Sequence, residues 1–253
     1  MLRQLIFLMT LVAAAVAAAG TLAAEGGSLQ TRLEAAMASD IRTPAEKARD
    51  ANRKPIETLQ FFGLEEDMRV LELVPGGGWY TKLLAPVLAD EGELYVAIGT
   101  DTVQRLVNDG TLEGVNIVTI GGQLARAEGA RRMAIEGLDI PLEDIDLVLT
   151  FRNLHNFTEE GRRGLNEQAF KVLRSGGTYG VVDHTRRHMQ DDYHENWRRM
   201  DPVQMIKEIE AVGFDFVDYS TLHYRPDDEL QYEVGRATVT GNTDRFTLLF
   251  RKP

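Results

Sequence analysis

Cysteine is absent from all 253 residues, which excludes disulfides, thiolate metal sites and a lipid-modified cysteine behind a leader. Positive charge is in the minority, with 28 Lys and Arg against 39 Asp and Glu and a formal net charge of −11. Nucleic acid and anionic membrane are bound through clusters of Lys and Arg, so the balance disfavours both as partners. No apolar run comfortably reaches the about 20 residues that a transmembrane helix needs. Internal repeats and low-complexity linkers are missing too. Beyond the amino terminus the chain therefore reads as one domain over residues 25–253, with helices within 29–62 and a core over 68–253.

The amino terminus carries Arg3, an apolar run from Leu5 to Ala19 and small residues through Ala24. That is the order of n-region, h-region and cleavage region in a secretory signal peptide. Residues 1–24 are read as such a signal, with a cut after Ala19 or Ala24, and the mature chain as exported to the periplasm without stable membrane insertion. An uncleaved anchor is the alternative.

The stretch Met68-Arg-Val-Leu-Glu-Leu-Val-Pro-Gly-Gly-Gly-Trp-Tyr80 runs from a buried-strand pattern through three glycines into a helical pattern. Gly76, Gly77 and Gly78 lack a Cβ, so the backbone can turn sharply and a ligand can approach its N–H groups. Helical patterns cover Leu29–Ser39 and Ala45–Phe62, the second opening on Thr43 and Pro44. Strand patterns follow at Val70–Leu73, Leu94–Ile98, Val115–Ile120, Ile145–Thr150 and Thr178–Asp183, separated by helical patterns at Tyr80–Leu88, Thr102–Asn108 and Glu159–Leu173. The turn Arg174-Ser-Gly-Gly177 reads as a left-handed helix cap. A helix near Pro202–Val212 and strands at Phe214–Leu222 and Arg245–Arg251 close the chain, with Tyr224–Asn242 between the strands as a lid or a solvated loop. The alternation predicts an α/β doubly wound sheet ending in an antiparallel hairpin.

Glu72 followed by the glycine turn resembles the first motif of the class I S-adenosylmethionine-dependent methyltransferases. Together with Arg49-Asp50, Arg53-Lys-Pro55, Phe61-Phe-Gly63, Phe151-Arg-Asn-Leu-His-Asn156, Gly180-Val-Val-Asp-His184 and Thr243-Asp-Arg-Phe246, it resembles a bacterial family of predicted methyltransferases. The resemblance implies a Rossmann-like seven-stranded, mostly parallel sheet with an antiparallel C-terminal hairpin. It also implies S-adenosylmethionine as cofactor, held by Glu72, Gly76, Gly77, Gly78 and Tyr80. Two positions depart from the pattern. Val74 stands where its first glycine belongs, and Ile98 where the second strand carries an acid for the cofactor's ribose; Asp101 is the acid nearest to that place.

Ligands of open α/β sheets bind beyond the carboxyl ends of the strands. His155 and His184 lie at such ends and are candidate acid/base groups, because an imidazole titrates near neutrality. Asp183 would orient His184 or touch substrate, or cap a turn, and Asn153 offers a donor and an acceptor to a polar small-molecule substrate. Arg49 and Arg53 would meet a carboxylate or sit on a solvated helix face paired with Asp50 or Glu57. Trp79 and Tyr80 would wall a pocket or pack a helix. Asp183, His184, His188, Asp191, Asp192 and His194 crowd a short span, but the flanking Arg186 and Arg187 oppose a cation, and no metal site is assigned. Three functions follow from these readings: a methyltransferase, a non-catalytic periplasmic binding protein on the same fold, and a metal-dependent hydrolase.

Overall fold

The computed structural model describes residues 28–253; the expected signal peptide lies outside them. The described chain begins with α1 (Leu29–Ala38), α2 (Pro44–Lys47), α3 (Asp50–Arg53) and α4 (Pro55–Phe61). The single helix expected over Ala45–Phe62 is thus three pieces. Lys54 adopts φ 41°, and Pro55, which supplies no N–H, begins α4. The entry is as expected: the Thr43 side chain accepts from Glu46 N, the Glu46 carboxylate accepts from Thr43 N, and Pro44 occupies the first helical position.

The rest follows as β1 (Arg69–Leu73), α5 (Thr81–Leu88), β2 (Glu93–Ala97), α6 (Asp101–Asn108), β3 (Val115–Ile117), β4 (Gly121–Ala125), β5 (Ala134–Asp139), β6 (Ile145–Phe151), α7 (Glu159–Val172), β7 (Leu173–His184), α8 (Pro202–Glu210), β8 (Asp215–Ser220) and β9 (Arg245–Arg251). The main sheet has seven strands in the order β3-β2-β1-β6-β7-β9-β8. β9 runs antiparallel to both of its neighbours, and the pairings among β1, β2, β3, β6 and β7 are parallel. β1 and β6 lie at the centre and are buried almost throughout, as strands covered on both faces must be.

Side chains alternate between the two faces, and each face builds its own core. Leu71, Leu73, Val148, Tyr179 and Val181 pack with α7 and α8 residues such as Leu165 and Met205. Val70, Leu94, Leu147, Leu149 and Val182 pack on the other face with Leu33, Leu59, Leu83 and Leu84 of α1, α4 and α5. On this second face Phe62 lies so close that a Cβ at Gly180 would stand 2.6 Å from its ring.

Two local readings are corrected. Helix α7 ends on Leu173 in extended backbone (φ −68°, ψ 140°), so the turn at 174–177 is no left-handed cap but part of the long strand β7. Gly176 does have φ +79°, and its N–H donates to Lys252 O, which draws the chain's end alongside β7. The β4–β5 hairpin was not anticipated. Its residues are mostly exposed and carry little apolar alternation, and its register shifts at Gly122, where any Cβ would run into the Glu136 and Gly137 carbonyls at 2.4 Å.

Candidate functional site

Where β1 ends, the glycine turn forms as the sequence implies. Gly76 and Gly78 have φ of +57° and +75°, and so does the β-branched Val74, at +56°. Gly78 is confined, since a Cβ there would approach Val103 of α6 at 3.2 Å. Above Gly76 and Gly77 the space is open, with nothing within 4 Å of an added Cβ. Glu72 lies on the α5 face of β1, buried, and Thr81 Oγ1 donates to its Oε2 at 2.6 Å. Burial pushes its carboxyl up to about 7, against the opposing effects of the Thr81 hydrogen bond and the Arg53 charge. A cavity of about 190 Å³ opens here, bordered by Glu72, Gly76, Gly77, Tyr80, Arg53 and Asn153.

Asn153 works on the protein itself. Its amide donates to Val74 O at 3.0 Å, tying the end of β6 to the turn after β1. Tyr80 and Trp79 do both things expected of them. The Tyr80 ring stacks on Phe151 at 3.5 Å and borders the cavity, while Trp79 Nε1 donates to Glu46 O at 3.0 Å and fastens α2 to the turn. Lys82 adds a second tie, reaching the Glu46 carboxylate at 2.9 Å.

The two histidines part company. Asp183 points to the α7/α8 side, is fully buried, and accepts from His155 Nδ1 at 2.6 Å, His155 N at 3.1 Å and His184 N at 2.7 Å. With a carboxylate against it, His155 Nδ1 is the donor of this bond. Neither His155 nor Asp183 borders the cavities above the glycine turn. His184, the next residue along β7, faces the opposite side and borders a second cavity of about 370 Å³. Its Nδ1 lies 2.9 Å from Thr243 Oγ1, and burial, then the neighbouring His155 and Arg245, drive its pKa well down, so the ring is neutral.

Arg53 corrects the sequence reading most. It is not on a solvated helix face, and Asp50 is taken by Arg42 at 2.5 Å. The Arg53 guanidinium is buried 4.3 Å above the Trp79 ring, and its Nε and Nη2 have no partner. His223, whose Nε2 donates to Arg53 O at 2.9 Å, fixes the end of α3 that carries it. Arg152 follows β6 with φ +62°, and Arg245 opens β9, donating to Asn52 O at 2.9 Å with its Nε left over. Both stood inside quoted motifs without being singled out. The signal for them was their place beside strand ends.

No protein-family model matches the chain, and neither does any curated protein. Solved structures do. A SAM dependent methyltransferase from Aquifex aeolicus superposes with TM-score 0.56 at 16% identity over 87% of this chain and 97% of that one. The fold is that of the class I methyltransferases. The [4+2]-cyclase SpnF superposes with TM-score 0.54 at 16% identity, over 89% and 93% of the two chains. The glycopeptide N-methyltransferase MtfA gives 0.50 at 16%, over 83% and 100%.

In this methyltransferase fold the second strand ends without an acid. Ile98 is buried there with φ +70°, and Asp101, the first residue of α6, is exposed and borders neither cavity. The His/Asp crowd after β7 disperses. His188 pairs with Asp201 at 2.9 Å, Asp192 with Arg132, and exposed His194 lies 3.6 Å from Glu195. Among the described residues no three His, Asp or Glu side chains converge as a metal site. The segment at 224–242 is pinned over the site rather than free, because buried Asp228 accepts from Arg199 Nη1 and Nη2 at 2.8 and 2.9 Å and Tyr232 O accepts from Arg199 Nε at 2.8 Å. Among the described residues no helix is long and apolar enough to cross a membrane.

Proposed function

We propose that this chain is an S-adenosylmethionine-dependent methyltransferase acting on a small molecule, exported after loss of residues 1–24. One observation carries the reading: an open glycine turn at the end of β1, with buried Glu72 beside it, adjoins a second cavity that contains a neutral histidine. The donor set fits the amino-acid end of the cofactor, since Glu72 offers a carboxylate to an ammonium and the backbone at Gly76 and Gly77 is approachable. When bound, the cofactor would supply an electrophilic methyl group. Tyr80 walls its space, and His184 takes the proton from the acceptor, a role that suits the imidazole bordering the cavity better than His155 behind it. His155 and Asp183 hold the end of β7 in place.

The missing acid at Ile98 favours a second reading, a binding protein on the same fold, and a cyclase with this fold illustrates that architecture does not set chemistry. Calorimetric titration of the mature protein with S-adenosylmethionine and S-adenosylhomocysteine separates the two. Binding should be present in wild type and lost in Gly77→Val, which has room to fold because nothing lies within 4 Å of the added Cβ. Silence of wild type at millimolar ligand would replace the enzyme by the binding protein. Mass measurement of exported protein should give a start between Gly20 and Glu25, and an intact Met1 on cytoplasmic protein would refute export.

A further inference from the structure

Four arginines from distant parts of the sequence meet beyond the strand ends: Arg49 and Arg53 around α3, Arg152 after β6 and Arg245 at the start of β9. All four border the cavity of about 370 Å³, and no Asp or Glu borders it with them. Arg198, also at its rim, is paired with Glu233. The four themselves form no ion pair among the described residues. Arg53 and Arg245 are 96% and 93% buried by their relative exposures of 4% and 7%, yet Arg53 Nε and Nη2 and Arg245 Nε lack any hydrogen-bond partner.

Such an arrangement is costly. A buried guanidinium needs its five donors satisfied and its charge opposed, and these four repel one another besides. Burial and then Arg152 push Arg53 down to about 8, while burial and then Arg245 push Arg152 down to about 10. Three carboxylates act on the group and each is engaged elsewhere: Glu72, near Arg53, accepts from Thr81; Asp183, near Arg152, is held by His155; and Asp244, near Arg245, accepts from Arg225 N. The Trp79 face under Arg53 offsets part of the cost through a cation–π contact. Elsewhere the same chain neutralises buried arginines carefully, as with Arg199 and Asp228 or Arg162 and Glu208. The cofactor brings one carboxylate, offset by a sulfonium and an ammonium, and so leaves the group net cationic.

We infer that the cavity beside the glycine turn binds a small molecule bearing at least two clustered anionic groups, phosphate or carboxylate, gripped by Arg53, Arg152 and Arg245 with Arg49 at the mouth. In a chain with net charge −11 this local excess of positive charge selects such a ligand from solution, and planar guanidinium groups match the oxygen pairs of both anion types. The inference rests on the reading of this cavity as the substrate side of the site. It places the atom to be methylated on a polyanionic compound.

The experiment needs no cofactor, so its outcome is separable from the titration above. Purified protein is titrated with pyrophosphate, citrate and, as a monoanionic control, acetate at matched ionic strength, by calorimetry and thermal denaturation. Pyrophosphate or citrate should bind one per chain and raise Tm, and whichever binds more tightly assigns phosphate or carboxylate. Arg152→Gln should weaken that binding at least tenfold, while Arg174→Gln, which removes the same charge from an ion pair with Asp146 at the opposite end of the sheet, should leave it unchanged. Arg53→Met keeps the apolar stem on Trp79, and should raise the stability of the ligand-free protein while abolishing the anion's effect, whereas an arginine kept for structure would lower stability on removal. Absence of saturable binding by both polyanions, or equal loss in Arg174→Gln, overturns the inference. Polyanion binding in a protein that ignores S-adenosylmethionine would leave it standing and discard the methyltransferase.

Discussion

Glu72→Gln tests whether the carboxyl beside the glycine turn is held protonated by burial. Gln keeps an acceptor for Thr81 Oγ1, which lies 2.6 Å from Oε2, and removes the ionisable group. Burial raises the Glu72 pKa from 4.5 to about 7, so between those pH values the folded chain keeps a proton that the unfolded chain has released. Folded-state stability therefore falls as pH rises through this window, and the loss is complete above it. At 1.36 kcal/mol per tenfold change in proton affinity, the penalty is under about 1 kcal/mol at pH 5 and about 3 kcal/mol at pH 8. The variant escapes it. Urea unfolding of both proteins at pH 5 and pH 8 should show the variant gaining about 2 kcal/mol on wild type between the two conditions. Any constant offset from the altered hydrogen bond cancels in that difference. A stability gap that is the same at both pH values would refute the reasoning, and with it the view that a cationic ammonium finds a carboxylate here only after displacing its proton.

Two further outcomes follow from the strand ends. Val74 has φ +56°, a conformation that costs an L side chain about 1–2 kcal/mol; because Val74→Gly and Val74→Ala both delete the two γ-methyl groups and differ only in the Cβ, the glycine variant should be more stable than the alanine one by about 1 kcal/mol, and the reverse order in denaturant would deny the strain. Once a methyl acceptor is in hand, His184→Ala should lower turnover on the order of a hundredfold with cofactor affinity kept, whereas His155→Ala should chiefly lower Tm by releasing Asp183; equal kinetic loss in the two would return His155 to the reacting group.

The order of strands and helices, the glycine turn and the parallel core were legible because they are local. A fully apolar run bounded by glycines specifies a buried strand, and a cap with proline at the first helical position specifies a helix start, whatever lies elsewhere. Even the separation of His184 from Asp183 was implicit, since neighbours on a strand face opposite sides. The expectation that Asp183 would orient the His184 ring overlooked that parity. The β4–β5 hairpin was illegible for the opposite reason: β4 stays exposed, and β5 packs only Ile135 and Leu138 against the core, at a spacing that is not a strand's period of two.

What the sequence determined by itself was the α/β sheet and the place along it where a ligand would approach. What only the tertiary structure decided was charge. With 39 acidic and 28 basic residues every arginine has many carboxylates to choose from, and the choice depends on atoms far apart in the chain. Arg42 takes Asp50, Arg199 takes Asp228 and Arg162 takes Glu208. Arg53, Arg152 and Arg245 are left facing one cavity because ion pairing acts over a few ångströms in space, and folding, not sequence position, sets those distances.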